Sequence, residues 1–467
     1  MIFNQNVWMD EAFTATLIRT DMAGVISRSM KDTLPPLYNI LLKLMTDLFG
    51  YSVPVMKITS VIPMIATLFL GATVVRRRHG LFAGCLFMLS LTAMPLMLYY
   101  GVEIRMYSIG FFFSTASGIY AFEVLLDSNR KNWILFTLFS VLAGYSHHFA
   151  FVCVGVIYFF LLLYYITKQR QNIRRWFLCL LATLVLYLPC LLITLKQLKR
   201  VSGYFSMPEI TPRLFVQYML YPYTTGITVL SLLLLLSVIC LFVRRIVLFV
   251  RKGKQNSVPD ASDAGDVADT ESARHMYALL CVLPYYLILL FGTVLSKIMT
   301  ANIFVDRYLF FSCGLIWLFF SIEISSLPEA AVKGIRIPVR ALAVIFILLI
   351  FAATFHAEWE LEYGQDPSDM IAYLDSHVSS GDGLITCADS EALYWCLPFY
   401  APALHPYDTT DHGLGALNDN TISRLWIAVD EAASLPELRD ANGDMREPVY
   451  DGTFDFDRYR FSLYHTP

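Results

Sequence analysis

Charge is what this chain has least of. Only 16% of its 467 residues are Asp, Glu, Lys or Arg, and the two signs nearly cancel to a formal net charge of −3. Soluble domains carry roughly 25% charged residues, so the scarcity excludes an ordinary soluble domain. The balance removes any global electrostatic case for nucleic acid. A complete calcium loop is also missing. The spaced acids of 252–275 (KGKQNSVPDASDAGDVADTESARH) lack the Gly and the terminal Glu at the spacing such a loop requires. That stretch reads as a solvated linker, too poor in apolar residues to fold alone. Of nine cysteines, Cys85, Cys153, Cys179, Cys190, Cys240, Cys281 and Cys313 fall inside apolar runs and read as small core residues. Cys387 and Cys396 lie in a polar tail and form a candidate disulfide if that tail faces an oxidising space. What is abundant is apolar surface: 57% of residues are hydrophobic and the mean hydropathy is +0.56. The chain is expected to be an α-helical polytopic membrane protein.

A bilayer core about 30 Å thick needs roughly 20 apolar helical residues. Ten stretches meet or approach that length, near 54–75, 81–100, 104–126, 133–148, 149–167, 175–195, 226–248, 276–297, 304–325 and 340–356. Lys and Arg concentrate on cytoplasmic loops. Here Arg76-Arg77-Arg78, Arg130-Lys131, Lys168 to Arg175, Arg244 to Lys254 and Lys333 to Arg340 occupy alternate loops, which are therefore placed inside. This puts 1–53, the His147-His148 hairpin, 196–225 and everything after 357 outside. An external amino terminus with no signal peptide to translocate it is expected to follow a further span, making eleven. The organisation expected is an external first loop (1–53), a transmembrane bundle (54–356) with the cytoplasmic linker 252–275, and an external α/β domain (357–467). In that last domain IAYLDSHV has helical spacing, and GLITC and RLWIAVD read as short strands.

Charges inside a membrane mark function by default, and the notable ones here avoid the middle. Glu103 and Arg105 head the third span, Asp306 and Arg307 head the ninth, and His147 and His148 lie at the same boundary. With Asp10, Glu11 and Asp32 they line one face, the external one. Transporters tend to hold polar groups at the midplane on broken helices, a feature no pair of spans shows. In WMDEAF, Asp10 and Glu11 suit either helix-dipole stabilisation or a general base. Adjacent helical residues point about 100° apart, so one of the two reaches any reacting atom. In KDTLPPLYNILLKLMTDLFG the double proline sets an extended approach to an interfacial helix, with Asp32 just before it as a turn cap or ligand. In VEIRMYS, Glu103 and Arg105 are two apart and do not face each other on a helix. The Arg105 fork either snorkels or binds phosphate, and Arg307 in FVDRYLF offers the same pair of readings. Two adjacent histidines in GYSHHF suit an aromatic belt and do not make a metal site by themselves. Tyr204, Tyr218, Tyr221 and Tyr223 in 196–225 are interfacial residues or a sugar-stacking surface.

Taken in order, WMDEAF, then Asp32, Pro35, Pro36, Leu37 and Tyr38, then PLMLYYGVEIRMYS, which ends on Tyr107-Ser108, then GYSHHF resemble the bacterial branch of the GT-C glycosyltransferase superfamily. That branch is similar to protein O-mannosyltransferases and to the aminoarabinose transferases acting on lipid A. The resemblance covers roughly residues 7–165, is looser through FVDRYLF and says little of the tail. It implies a GT-C-like bundle in the cell membrane that moves a sugar from a polyprenyl-phosphate carrier to an extracytoplasmic acceptor, with inversion. By that match Asp10 is the base on the acceptor hydroxyl, supported by Glu11, and Arg105 binds the carrier phosphate. Glu103, Tyr107, Asp32, His147, His148 and Arg307 are expected around the substrate. Family members commonly have His before the double proline where this chain has Leu34, so that role is absent or passes to His147 or His148. No cofactor is expected, and no strong ligand set for a divalent metal is present. The expected partners are the lipid-linked donor, an acceptor the sequence does not name, and membrane lipids. A lipid-linked sugar flippase or polysaccharide exporter is the rival reading, in which the same outer residues only release cargo.

Overall fold

A computed structural model of the chain describes residues 2–204, 209–255, 264–299, 302–328, 330–332, 335–362, 367–387, 392–407, 422–436, 438, 445, 447–456 and 459–466. It divides into two compact units. One comprises 26–41 and 59–358; the other comprises 1–25, 42–58 and 359–467.

Among the described residues eight helices are long and apolar enough to cross a bilayer: Val53–His79, Tyr107–Leu126, His148–Thr167, Arg170–Gln197, Thr228–Arg251, Ser272–Ile298, Asp306–Ser325 and Val339–Glu358. Two of the ten expected spans differ. The stretch expected at 133–148 forms the helix Arg130–Ser146, whose 17 residues lie at the lower limit of a bilayer crossing and leave it outside those eight. The stretch 81–100 is broken into Leu81–Ala93 and Met97–Val102. Pro95 is the cause: it forces the preceding residue out of the helical region, and Met94 is extended at φ −76°, ψ 151°. Leu96 then turns the chain with φ 67°. One consequence corrects the sequence reading directly: the next span begins at Tyr107, so Glu103 and Arg105 lie in the turn before it.

Two spans form the centre of the bundle. Tyr107–Leu126 is 78% buried and Asp306–Ser325 is 83% buried, whereas Arg170–Gln197 is only 17% buried. The peripheral helix presents Leu178, Leu181, Val185, Leu188 and Leu192 outward at three- and four-residue spacing, a lipid-facing stripe. The central pair packs through small residues. A Cβ on Gly314 would come within 2.1 Å of the Thr115 hydroxyl, and one on Gly118 within 2.2 Å of Leu315, the close backbone approach that drives helix association where hydrophobicity cannot. Each central span also carries a carboxylate near its last turn. Glu123 is clamped by Arg78 at 2.8 and 2.5 Å, and Glu323 pairs with Arg244 at 3.1 Å and with Arg245.

The second unit gathers both ends of the chain. Its five-stranded sheet runs His405–Pro406, Gly383–Cys387, Leu425–Asp430, Tyr459–His465, Val449–Phe456 across its width; the first three strands are parallel and the last two antiparallel. Ile385, Leu425, Ile427, Val429 and Leu438 make its core. The helix Ser368–His377 and the strands over GLITC and RLWIAVD match the sequence reading. The helix Ala392–Tyr400 was not anticipated, and it packs on the amino-terminal helix Met9–Leu17: Phe13 meets Trp395 edge-on at 4.9 Å. Arg19 donates to the carbonyls of Pro398 and Phe399. Cys387 and Cys396 are both free thiols, and the candidate disulfide is not formed. Cys396 is instead buried against the Val7 carbonyl at 3.7 Å.

Candidate functional site

The helix Met9–Leu17 separates the roles of the two neighbouring acids. Glu11 sits at the third helical position and its Oε2 accepts the Trp8 backbone N–H at 3.2 Å, closing the amino-terminal turn as a capping box does. Glu11 is only 4% exposed. Asp10, one residue earlier and rotated away, is half-buried, and its carbonyl accepts from the Thr14 hydroxyl at 2.8 Å.

The remaining candidates belong to the other compact unit, and most of them converge. Glu103, Arg105 and Tyr107 are all buried. The turn that holds them is set by Arg105 N–H bonding to the Glu103 carbonyl at 2.7 Å, and the same carbonyl accepts from Ser60, itself 2.7 Å from the Tyr38 hydroxyl. Tyr38 therefore ties the segment after the double proline to the turn carrying Arg105. Glu358, closing the last span, fixes the turn from the other side: its two oxygens accept the N–H groups of Leu96 at 2.5 Å and Tyr99 at 2.9 Å. This caps the short helix Met97–Val102 that leads into Glu103. No sequence pattern links position 358 to position 96.

Tyr100, on that short helix, lies tilted against Tyr107 at 4.9 Å and Phe310 at 4.7 Å, and the Tyr221 hydroxyl donates to its own at 3.0 Å. Glu103, Asp306 and Arg307 all lie close enough to act on it electrostatically. Burial first, and the Glu103 carboxylate second, push the Tyr100 hydroxyl above its ordinary value, so it stays protonated. Of the four tyrosines noted in 196–225, Tyr221 thus joins this cluster; the Tyr204 side chain lies outside the described residues.

The two histidines turn out to be unlike. His148 donates from Nε2 to the Thr33 carbonyl at 3.2 Å and has Nδ1 3.4 Å from the Thr194 hydroxyl, so both of its nitrogens serve structure. His147 caps the span His148–Thr167: its Nδ1 accepts the Phe149 N–H at 3.1 Å. That bond assigns the proton to Nε2. The Nε2 atom is buried with no hydrogen-bond partner among the described residues. The His147 ring is held between Phe311 at 4.5 Å and Tyr308 at 4.8 Å, with Arg105 and Arg307 close enough to act on it. A buried donor left open is costly, so the site favours an acceptor beside it.

His147 lines a cavity of about 400 Å³ together with Thr33, Leu34, His148, Gln197 and Tyr308, and the rest of the lining is mostly apolar. Leu34, the residue before the double proline, faces the same space as the two histidines. Asp32 lies one residue outside it, bonded to the Thr33 hydroxyl at 3.4 Å. Arg307 heads the span Asp306–Ser325, with its N–H on the Asp306 carboxylate at 2.8 Å. Among the described residues no group of three or more His, Cys, Asp or Glu side chains is placed to hold a metal ion.

No protein-family model matches the chain, and no curated protein matches it by sequence. Solved structures do match. The crystal structure of ArnT from Cupriavidus metallidurans in the apo state superimposes with a TM-score of 0.66 at 10% identity, covering 99% of this chain and 95% of that one. The same protein bound to undecaprenyl phosphate gives a TM-score of 0.57 at 11% identity over the same shares. With no sequence family to go further, the likeness is one of architecture over nearly the whole length: the chain has the fold of ArnT.

Proposed function

We propose that the protein is a membrane glycosyltransferase that takes a sugar from a polyprenyl-phosphate carrier and passes it to an acceptor on the external face, with inversion. The observation that carries this reading is the cavity beside His147: a mostly apolar space of about 400 Å³ lined by an imidazole whose buried Nε2 has no hydrogen-bond partner among the described residues, with Arg105 and Arg307 close to that ring. An isoprenoid chain needs the apolar space, and its phosphate needs the donors. The fold supports it, since one ArnT structure holds undecaprenyl phosphate.

In the reaction the bond between the anomeric carbon and the phosphate oxygen breaks while the acceptor oxygen bonds the opposite face of that carbon. The departing lipid phosphate keeps the electron pair. Arg105 and the His147 Nε2–H stabilise it, the work of preorganised donors aimed at developing charge. His147 stands in for the histidine that relatives place before the double proline, where Leu34 lines the same cavity here. The acceptor proton goes to Asp10, an assignment that rests on the WMDEAF motif, while Glu11 shapes the turn that presents it.

The test is consumption of polyprenyl-phosphate sugar by purified full-length protein in nanodiscs, with no membrane potential, beside mass spectrometry of surface glycans in cells with and without the protein. Transfer is expected from the wild type, and Asp10→Asn is expected to lower it by at least about 100-fold while the protein stays folded, the scale of a lost general base. Carrier that crosses the bilayer without losing its sugar would instead identify a flippase.

A further inference from the structure

The end of the bundle away from Arg105 holds a second cavity that sugar transfer does not require. The helix polarity locates it: Arg78 and His79 close one span, Glu323 and Arg245 lie near the ends of two others, and Arg274 lies near the start of a fourth. The cavity measures about 190 Å³. Its charged lining among the described residues is three arginines, Arg78, Arg245 and Arg274, against the single carboxylate Glu323.

The arginines are held in place and not used up. Glu123 fixes Arg78 through two hydrogen bonds, and Glu323 takes one donor of Arg245. A guanidinium has five N–H donors. The Nε of Arg245, a residue only 8% exposed, is buried with no hydrogen-bond partner among the described residues. Arg274 is exposed and has no ion-pair partner among the described residues. Positive charge concentrated in a partly buried space, with an open buried donor, calls for an anion that can accept several N–H groups at once, which is the geometry of phosphate.

A second feature says what kind of phosphate. Arg245 and Ala278 also line an adjoining slot of about 120 Å³, whose other walls include Phe242, Ile246, Phe249 and Leu279. A cationic chamber that shares a wall with an apolar slot, at the level where the spans end, fits an amphiphile with an anionic head. We propose that these two cavities form a binding site for an anionic glycerophospholipid, with its phosphodiester among Arg78, Arg245 and Arg274 and the start of an acyl chain in the slot. Basic pockets between span ends are a recurrent way of holding such headgroups. This inference is independent of the sugar-transfer reading.

The experiment is native mass spectrometry of delipidated full-length protein exposed to equal amounts of dioleoyl phosphatidylglycerol or dioleoyl phosphatidylcholine, with inorganic phosphate as a third arm. The wild type is expected to retain phosphatidylglycerol and release phosphatidylcholine. Arg274→Gln, at an exposed position that leaves folding intact, is expected to weaken that retention about fivefold, the effect of one basic side chain at an anionic lipid surface. Arg274→Lys should restore it. Equal retention of the two lipids, or unchanged retention in Arg274→Gln, overturns the proposal. Displacement of phosphatidylglycerol by millimolar inorganic phosphate overturns the lipid assignment in favour of a soluble phosphate.

Discussion

At the scale of single residues, two adjacent histidines with the same sequence surroundings have different work. Nothing in GYSHHF distinguishes them, because what decides is the partner of each ring nitrogen, and the Thr33 carbonyl that occupies His148 lies 115 residues away. His147→Asn keeps an acceptor for the Phe149 N–H but withdraws the Nε2 donor. It is expected to lower the turnover number about 100-fold, the cost of losing one donor to a developing oxyanion, with little change in the melting temperature. A matched His148→Asn should show the reverse: a lower melting temperature from the lost tie to Thr33, and a smaller kinetic effect. Thermal unfolding and single-turnover rates on both variants check the distinction. Arg105 was legible in the sequence as a cation at a span end, since an arginine there stands out against so apolar a background. Tyr100 was not, because a tyrosine at an interface is the ordinary case.

At the scale of elements, the long apolar runs pointed to the eight helices that, among the described residues, are long and apolar enough to cross a bilayer, since a bilayer sets their length and composition. The break at Pro95 was legible in principle, by the rule that the residue before a proline leaves the helix. The clamp on the following turn was not legible, because Glu358 reaches Leu96 across 262 residues. Glu358→Ala frees two N–H groups at the start of Met97–Val102 and should cost about 1–2 kcal/mol, in the range of a lost helix cap. Its sharper signature is kinetic. The turn bearing Glu103 and Arg105 loses its support, so turnover should fall by about tenfold, the scale of a small misplacement of a positioned group, in protein that still inserts and purifies normally. Between the two central spans, Gly314→Val drives a side chain into Thr115 and Phe111. Overpacking of this kind costs about 1–3 kcal/mol, to be read as a lower denaturation midpoint in detergent.

At the scale of the whole molecule, the pairing of the first helix with one near the end of the chain was beyond sequence reasoning, since Val7 and Cys396 meet across 389 residues. It also changes how a truncation is to be read. Deleting 359–467 removes the helix Ala392–Tyr400 on which Met9–Leu17 packs, so the truncated protein is expected to lose sugar transfer even if the tail has no chemistry of its own. Limited proteolysis should then show cleavage within the first 25 residues that the intact protein resists. Within the bundle, Gly118 and Gly314 let Tyr107–Leu126 and Asp306–Ser325 pack so closely that neither position has room for a Cβ. Twenty helical residues make a strut about 30 Å long. Joined side by side, the two act as a lever with no joint: whatever rocks the arginine-lined end by a degree must also swing the opposite tip, where Arg105 and Arg307 sit, by the same angle.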